Sequence, residues 1–200
     1  MKIICIGRNY IDHAKELNNP VPKEPLIFLK PDSAQLLPGK PFFYPNFSKD
    51  IHYEGELVLK VGRNGRHIEP KFAHKYYDEV TVGIDFTARD LQKKFKEKGW
   101  PWELAKGFDG SAAIGRFIKL PKEEPIVYSL RKNGEQVQLG NTKDMIFHFD
   151  QIIAYVSQFF TLKMGDVIFT GTPAGVGPIV IGDKLEGYIG EEHVLSVKIL

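Results

Sequence analysis

Short apolar runs alternating with turn residues dominate the chain, and long amphipathic stretches are few. Ile3-Ile4-Cys5-Ile6 reads as an N-terminal strand from Lys2 that ends at Gly7. A short helical segment follows, with Asp12 near its start and Asn18-Asn19-Pro20 at its end. Leu26 to Lys30 is a second strand. Asp50 to Val61 forms a third, strand-like run, with Tyr53, Leu57, Leu59 and Val61 on one apolar face. Gly62-Arg63-Asn64-Gly65 has the turn chemistry of a hairpin, and a helix is expected around Phe72 to Asp78. In Val80 to Phe86 the even positions are apolar, and Thr81, Gly83 and Asp85 face the other way.

Thr87 is placed as the N-cap of a helix reaching Lys98, with Leu91 and Phe95 buried at i and i+4 and Gly99 and Pro101 ending it. Asn133-Gly134 joins Val127–Leu130 to Gln136–Leu139 as a hairpin. Asp150 is expected to cap a helix whose Ile152, Ile153, Tyr155, Val156, Phe159 and Phe160 make core. Val167 to Thr170 then enters the Gly-rich stretch 171–178, and two short strands close the chain. The pattern gives a β-rich α+β fold, and no repeat or shift in composition divides residues 1–200 into more than one domain.

Composition changes this picture little. With 42% hydrophobic and 26% charged residues, the chain of 200 residues is ordinary globular material, large enough for a core. A net charge of +2 points to no polyanionic partner, and Lys93-Lys94-Phe95-Lys96-Glu97-Lys98 reads as the solvated face of a helix, so neither nucleic acid nor membrane is expected. The single Cys5 cannot pair within the chain and sits in an apolar run too short for a signal-peptide core. We expect a buried structural thiol in a cytoplasmic protein.

Candidate chemistry centres on Glu54 and Glu56. Two residues apart in a strand, they project to the same side roughly 7 Å apart. That suits a two-point grip on a hard cation such as Mg²⁺, Ca²⁺ or Mn²⁺, and equally suits the wet side of an amphipathic strand. Asp85 lies beside much β-branched surface, where an acid needs a partner. Arg89 and Gln92 follow it in the first helical turns, where Arg89 could reach an anionic ligand or form an exposed ion pair. His13 and Glu16 stand at i and i+3, close enough for the carboxylate to orient the imidazole as a base, or for a surface pair with no role. Lys106 is either a desolvated ammonium or a snorkelling surface lysine. The Gly171–Pro178 loop could turn backbone N–H groups toward a carboxylate or phosphate, but it lacks the Gly-Lys-Ser/Thr ending of a phosphate-binding P-loop.

Gly7-Arg8-Asn9-Tyr10 with His13 and Glu16, the Glu54-x-Glu56 pair, Asp85-x-x-x-Arg89-Asp90-x-Gln92, Lys106 with Phe108-Asp109, and Thr170-Gly171-Thr172-Pro173 occur in this order over nearly the whole chain. Together they resemble the fumarylacetoacetate hydrolase family, closest to its small acylpyruvate hydrolase and oxaloacetate decarboxylase members. The resemblance implies a mixed β-sandwich roll, usually a homodimer, with Mg²⁺ or Mn²⁺ (Ca²⁺ able to substitute) held by Glu54, Glu56 and Asp85. It implies a catalytic lysine at Lys106, substrate contacts at Arg8, Arg89, Gln92 and Thr172, and a His13–Glu16 dyad on a lid. The implied reaction is cleavage of a 3-acylpyruvate to pyruvate and a carboxylic acid, with His13 deprotonating water and Lys106 stabilising the pyruvate enolate. Oxaloacetate decarboxylation would use the same enolate. The alternatives are an isomerase or tautomerase of 2-oxo acids, such as 2-hydroxyhepta-2,4-diene-1,7-dioate or oxaloacetate, and a non-catalytic, metal-dependent binder of small dicarboxylates. The chain departs from the family's pattern at Gly107, often a serine, and in Gly110–Gly115, which lacks a proline before its last glycine. Both bear on the pocket wall and hence on the substrate.

Overall fold

The structure, a computed structural model, describes residues 1–12, 21–122 and 125–200. His13 and Glu16 therefore lie outside the described residues. In chain order the strands are β1 (Ile3–Gly7), β2 (Leu26–Lys30), β3 (Gln35–Leu36), β4 (Ile51–Tyr53), β5 (Gly55–Val61), β6 (Tyr77–Asp85), β7 (Thr87–Ala88), β8 (Ala112–Ile114), β9 (Ile118–Lys119), β10 (Val127–Lys132), β11 (Glu135–Asn141), β12 (Val167–Phe169), β13 (Gly177–Pro178), β14 (Lys184–Ile189) and β15 (Glu192–Lys198). The described α-helices are α1 (Arg89–Lys98), α2 (Glu103–Lys106) and α3 (Phe149–Phe159).

The largest sheet runs β2-β1-β12-β5-β6-β8-β3, with β9 on β6. It is mixed, because β1–β12 and β3–β8 are parallel and the other pairs antiparallel. A second sheet, β11-β10-β14-β15, packs its apolar face on β5 and β6, so that Leu130, Leu185 and Leu195 share one core with Leu57, Leu59 and Val82. The sheets meet closely at Gly187, where an added Cβ would lie 2.7 Å from Val82 Cγ1. The fold is thus the β-rich α+β sandwich roll expected. Burial on both faces explains the near-continuous aliphatic runs of β1, β5 and β6, since central strands have no wet side.

Local expectations fail where the chain makes long-range bonds. The Asp50–Val61 run is broken at Glu54, because β4 leaves the large sheet to pair with β13 and β7. Gly62–Gly65 closes no hairpin. Gly65 instead exchanges backbone hydrogen bonds with Leu162, and β6 is reached only after a 3₁₀ helix, Pro70–Lys75. Asp78 already belongs to β6, which shortens the helix expected there. Thr87 is strand, with Ala88 at the N-cap of α1, and Asp90 accepts from Ser48 Oγ at 2.7 Å. His148, not Asp150, stands at the N-cap of α3, and Asp150 accepts from the Tyr77 hydroxyl at 2.9 Å. The Asn133-Gly134 hairpin and the Gly99 cap, with φ 65°, are as expected.

Candidate active site

The break after β4 builds the site. Glu54 occupies it, Glu56 follows inside β5, and Asp85 ends β6, its N–H bonded to Glu54 O at 2.9 Å. One oxygen of each carboxylate lies within 4.8 Å of the others, and all three residues are buried, so the wet-strand reading of the glutamates is set aside. Three acids gathered in a low dielectric disfavour one another's charge. Burial first, then the charges of Asp85 and Glu54, holds the Glu56 carboxyl well above the usual range, although the Gly171 N–H at 2.7 Å acts the other way. Gly171 can present that N–H because it adopts φ 103°, and a side chain there would meet Asn9 Cβ at 2.6 Å.

Cations converge on the acids from three elements. Lys106, in α2, is buried and donates to Glu54 Oε2 at 2.8 Å, Asp85 Oδ2 at 2.7 Å and Thr87 Oγ1 at 2.6 Å. Burial works against its ammonium, but the charges of Asp85 and Glu54 outweigh it and raise its pKa. Lys30, the last residue of β2, is fully buried with Nζ 2.7 Å from Asp85 Oδ1, and it donates to Ser111 O at 2.9 Å. Arg89 Nη2 bonds Glu54 Oε1 at 2.6 Å, and its Nη1 bonds Gln92 Oε1 at 2.7 Å across one turn of α1.

These residues suit a hard divalent cation. The donor set is all carboxylate oxygen, and Asp85 Oδ1 is buried with the Lys30 ammonium 2.7 Å away and no other donor among the described residues. Arg89 Nε is likewise buried without an acceptor among the described residues, and an anionic ligand would satisfy it.

Arg8, Glu54, Glu56, Asp85, Arg89, Gln92, Lys106 and Thr172 all line one cleft. Three further residues escaped the sequence. Lys30 shares a strand face with Leu26 and Phe28, so a charge ending an apolar face was its only signal. Lys96 is exposed, as expected of a solvated helix face, and also lines the same cleft. Its signal was the i, i+3, i+7 alignment with Arg89 and Gln92. Gln138, from the second sheet, is buried and bonds Gly55 and Thr172, and nothing near it in sequence marks it.

A family model described as fumarylacetoacetate (FAA) hydrolase C-terminal matches residues 2–199. The chain belongs to the fumarylacetoacetate hydrolase family. One family member, the oxaloacetate tautomerase FAHD1, mitochondrial, of Arabidopsis thaliana, is 46% identical over 187 residues, which cover 92% of this chain and 84% of that protein. The crystal structure of fumarylpyruvate hydrolase from Pseudomonas aeruginosa in complex with Mn²⁺ and pyruvate superposes with a TM-score of 0.93 at 35% identity, covering 100% of this chain and 89% of that one. That of 2-hydroxyhepta-2,4-diene-1,7-dioate isomerase from Mycobacterium marinum gives 0.85 at 33% identity, covering 100% and 74%. The fumarylacetoacetate hydrolase family is thus one of enzymes, with hydrolases, isomerases and tautomerases among its members. Among the described residues no helix is long and apolar enough to cross a membrane.

Proposed function

We propose that the chain is a divalent-metal-dependent enzyme acting on 2-oxo acids through their enol or enolate, with keto–enol tautomerisation as the reaction best supported. The observation that carries this reading is the meeting of Glu54, Glu56 and Asp85 with the buried ammonium of Lys106 and the guanidinium of Arg89, whose Nε has no acceptor among the described residues, in one cleft. Glu54, Glu56 and Asp85 would hold Mg²⁺ or Mn²⁺, and the ion would supply Lewis acidity toward the oxygens of the substrate's 2-oxo-acid end. Arg89, steadied by Gln92, receives the carboxylate. Lys106 donates a hydrogen bond where negative charge develops on the 2-oxo oxygen. Thr172 and the Gly-rich loop form the facing wall. His13, oriented by Glu16, is assigned to move the proton at the adjacent carbon, an assignment that rests on the H-x-x-E spacing.

Tautomerisation is placed first because it needs only this proton transfer, and because the 46% identical relative is named as an oxaloacetate tautomerase. Hydrolysis of a 3-acylpyruvate is the second reading, favoured by the likeness to fumarylpyruvate hydrolase. His13 would then deprotonate water for attack on the distal carbonyl, and the carbon–carbon bond would break to leave pyruvate as its enolate. Decarboxylation of oxaloacetate passes through the same enolate. A non-catalytic dicarboxylate binder would not need Lys106 buried at the acids. We take residues 1–200 as one catalytic domain, working as a homodimer in the cytoplasm, in keeping with a free and buried Cys5.

Purified protein loaded with Mg²⁺ or Mn²⁺ should be given enol-oxaloacetate and acetylpyruvate, with enol absorbance and pyruvate release followed separately. Accelerated loss of enol without pyruvate supports tautomerisation. Pyruvate with acetate supports hydrolysis, and pyruvate with CO₂ supports decarboxylation. No acceleration of any of the three overturns the enzymatic reading.

A further inference from the structure

The acids of the cleft are held in different ways. Glu54 and Asp85 are paired with side-chain cations, whereas Glu56 Oε2 accepts from the backbone N–H of Gly171 at 2.7 Å. That N–H shares one peptide group with the carbonyl of Thr170, and Thr170 O accepts from Asn9 Nδ2 at 2.7 Å. Asn9 is fully buried and packs directly against the loop, close enough that a Cβ on Gly171 would lie 2.6 Å from its own. Its amide can face only one way. Phe147 N donates to Asn9 Oδ1 at 2.8 Å, which fixes the oxygen on that side and leaves the two Nδ2 hydrogens for Phe147 O, at 2.9 Å, and Thr170 O. The backbone is bent to deliver this side chain. Arg8, directly before it, has φ 58°, a conformation that costs a non-glycine residue and persists only where its surroundings fix it.

We propose that Asn9 is a positioning residue for Glu56, acting through the Thr170–Gly171 peptide, so that a side chain outside the acid cluster helps to set its affinity for a divalent cation. Thr170 is secured on its N-terminal side, where its N–H and its hydroxyl both donate to Leu57 O, at 3.0 and 2.9 Å. The peptide beyond it is less constrained. Turning a peptide plane over needs a change of ψ at one residue and of φ at the next, and Gly171, at φ 103°, has the freedom to allow it. Turned over, the peptide would present its carbonyl to Glu56 in place of its N–H. Asn9 opposes that turn by holding the carbonyl on the far side. Its hydrogen bond also polarises the peptide in the sense that strengthens the N–H toward the carboxylate, because the two bonds run head to tail. With Oε2 fixed, the rotation of the Glu56 carboxylate is fixed, and with it the direction of its other oxygen.

This role rests on the reading of Glu56 as a metal ligand, and the test keeps the two apart. Asn9→Ser removes the amide that reaches Thr170 O. In ¹⁵N-labelled, metal-free protein the Gly171 N–H resonance should move upfield in this variant, as its hydrogen bond to Glu56 lengthens. Calorimetric Mg²⁺ affinity should fall about 10–100-fold, as for other outer partners of a metal site. A purely structural asparagine would lower the unfolding temperature and leave both readouts alone, so an unmoved Gly171 signal or an unaltered Mg²⁺ affinity in folded Asn9→Ser overturns the role. If Asn9→Ser does not fold, the wild type decides. Titration with Mg²⁺ should then move the Gly171 N–H and the Asn9 side-chain amide together, with one dissociation constant, while the side-chain amide of Asn133, bonded to Asp183 at 2.8 Å, stays in place. Movement of Gly171 without Asn9 overturns the role and leaves the metal reading standing. Failure of the wild type to bind Mg²⁺ or Mn²⁺ at all overturns the metal reading, and the role with it.

Discussion

Gln138 Nε2 donates to Thr172 Oγ1 at 2.8 Å and so ties the second sheet to the Gly-rich loop at the wall of the cleft. The same amide accepts from Gly55 N at 2.8 Å, and Thr172 Oγ1 donates to Gly55 O at 2.9 Å. Gly55, the residue between the two glutamates, is therefore held on both its N–H and its carbonyl. Gln138→Leu leaves a buried N–H without an acceptor and should cost about 2–3 kcal/mol of stability in thermal unfolding. Because the clamp orients Glu54 and Glu56, divalent-cation affinity should fall about 10–100-fold in calorimetry, as for other outer partners of a metal site. Gln138→Glu, which can still accept from Gly55, should lose less of both. Unaltered affinity in Gln138→Leu would show that the clamp has no part in the metal site.

Glu56→Gln separates the acid cluster's effect on folding from its effect on metal. The raised pKa of Glu56 means that the metal-free protein loses stability as pH rises from the ordinary carboxylate value of 4.5 through the folded value. At neutral pH and in chelator, Glu56→Gln should therefore unfold at a temperature equal to or above wild type, and should lack that part of the pH slope. With Mg²⁺ at about 100 times its dissociation constant, wild type should gain about 2.7 kcal/mol and the variant much less. An equal gain in both proteins would remove Glu56 from the metal site.

Lys106→Met should uncouple metal binding from turnover. Its ammonium bonds Glu54 and Asp85, so removing it leaves more negative charge and divalent affinity should hold or rise. Turnover of the 2-oxo acid should fall about 10²–10³-fold, the usual loss on removing a donor to developing negative charge. Retained kcat with retained metal would leave Lys106 a structural counter-ion.

Asp166 anchors the N-terminus by accepting from Lys2 N and Lys163 N, both at 2.8 Å, and by an ion pair with the Lys2 ammonium. Burial alone would raise its pKa, but the hydrogen bonds from Lys2 and Lys163 outweigh that and hold it below the ordinary 3.8. A lowered folded value contributes stability above pH 3.8 that is lost as pH falls through the folded pKa. Asp166→Asn should cost about 1–2 kcal/mol at neutral pH, and the gap from wild type should narrow below pH 3.8 in denaturant titrations. A gap independent of pH would mean that the carboxylate's charge is not what stabilises the β1–β12 pair.

Strands with unbroken aliphatic patterns, such as β1 and β12, were legible in the sequence because burial alone sets them. Glu54, Glu56 and Asp85 were legible because an acid within such a run has few other reasons to be there. The strand break at Glu54 was not, since it depends on β4 pairing with residues 177–178 and 87–88. Thr87 and Asp150 had the composition of helix caps, yet Lys106 and Tyr77, both distant in sequence, engage them. Lys30 and Gln138 were missed for the same reason: Asp85 and Thr172, which explain their burial, lie on strands and loops far along the chain.

The pairing of Asp85 and Glu54 with Lys30, Lys106 and Arg89 bears on how the protein is assembled. Where cysteines or carboxylates have no counter-ions of their own, a chain waits for its metal before it can fold. In this protein β2, α1 and α2 each bring a cation to the acids, so the fold can close around them first. If the proposed function holds, loading with a divalent ion would be a late exchange of partners in a finished molecule, and a newly made chain in a metal-poor cell would persist folded and idle until the ion arrives.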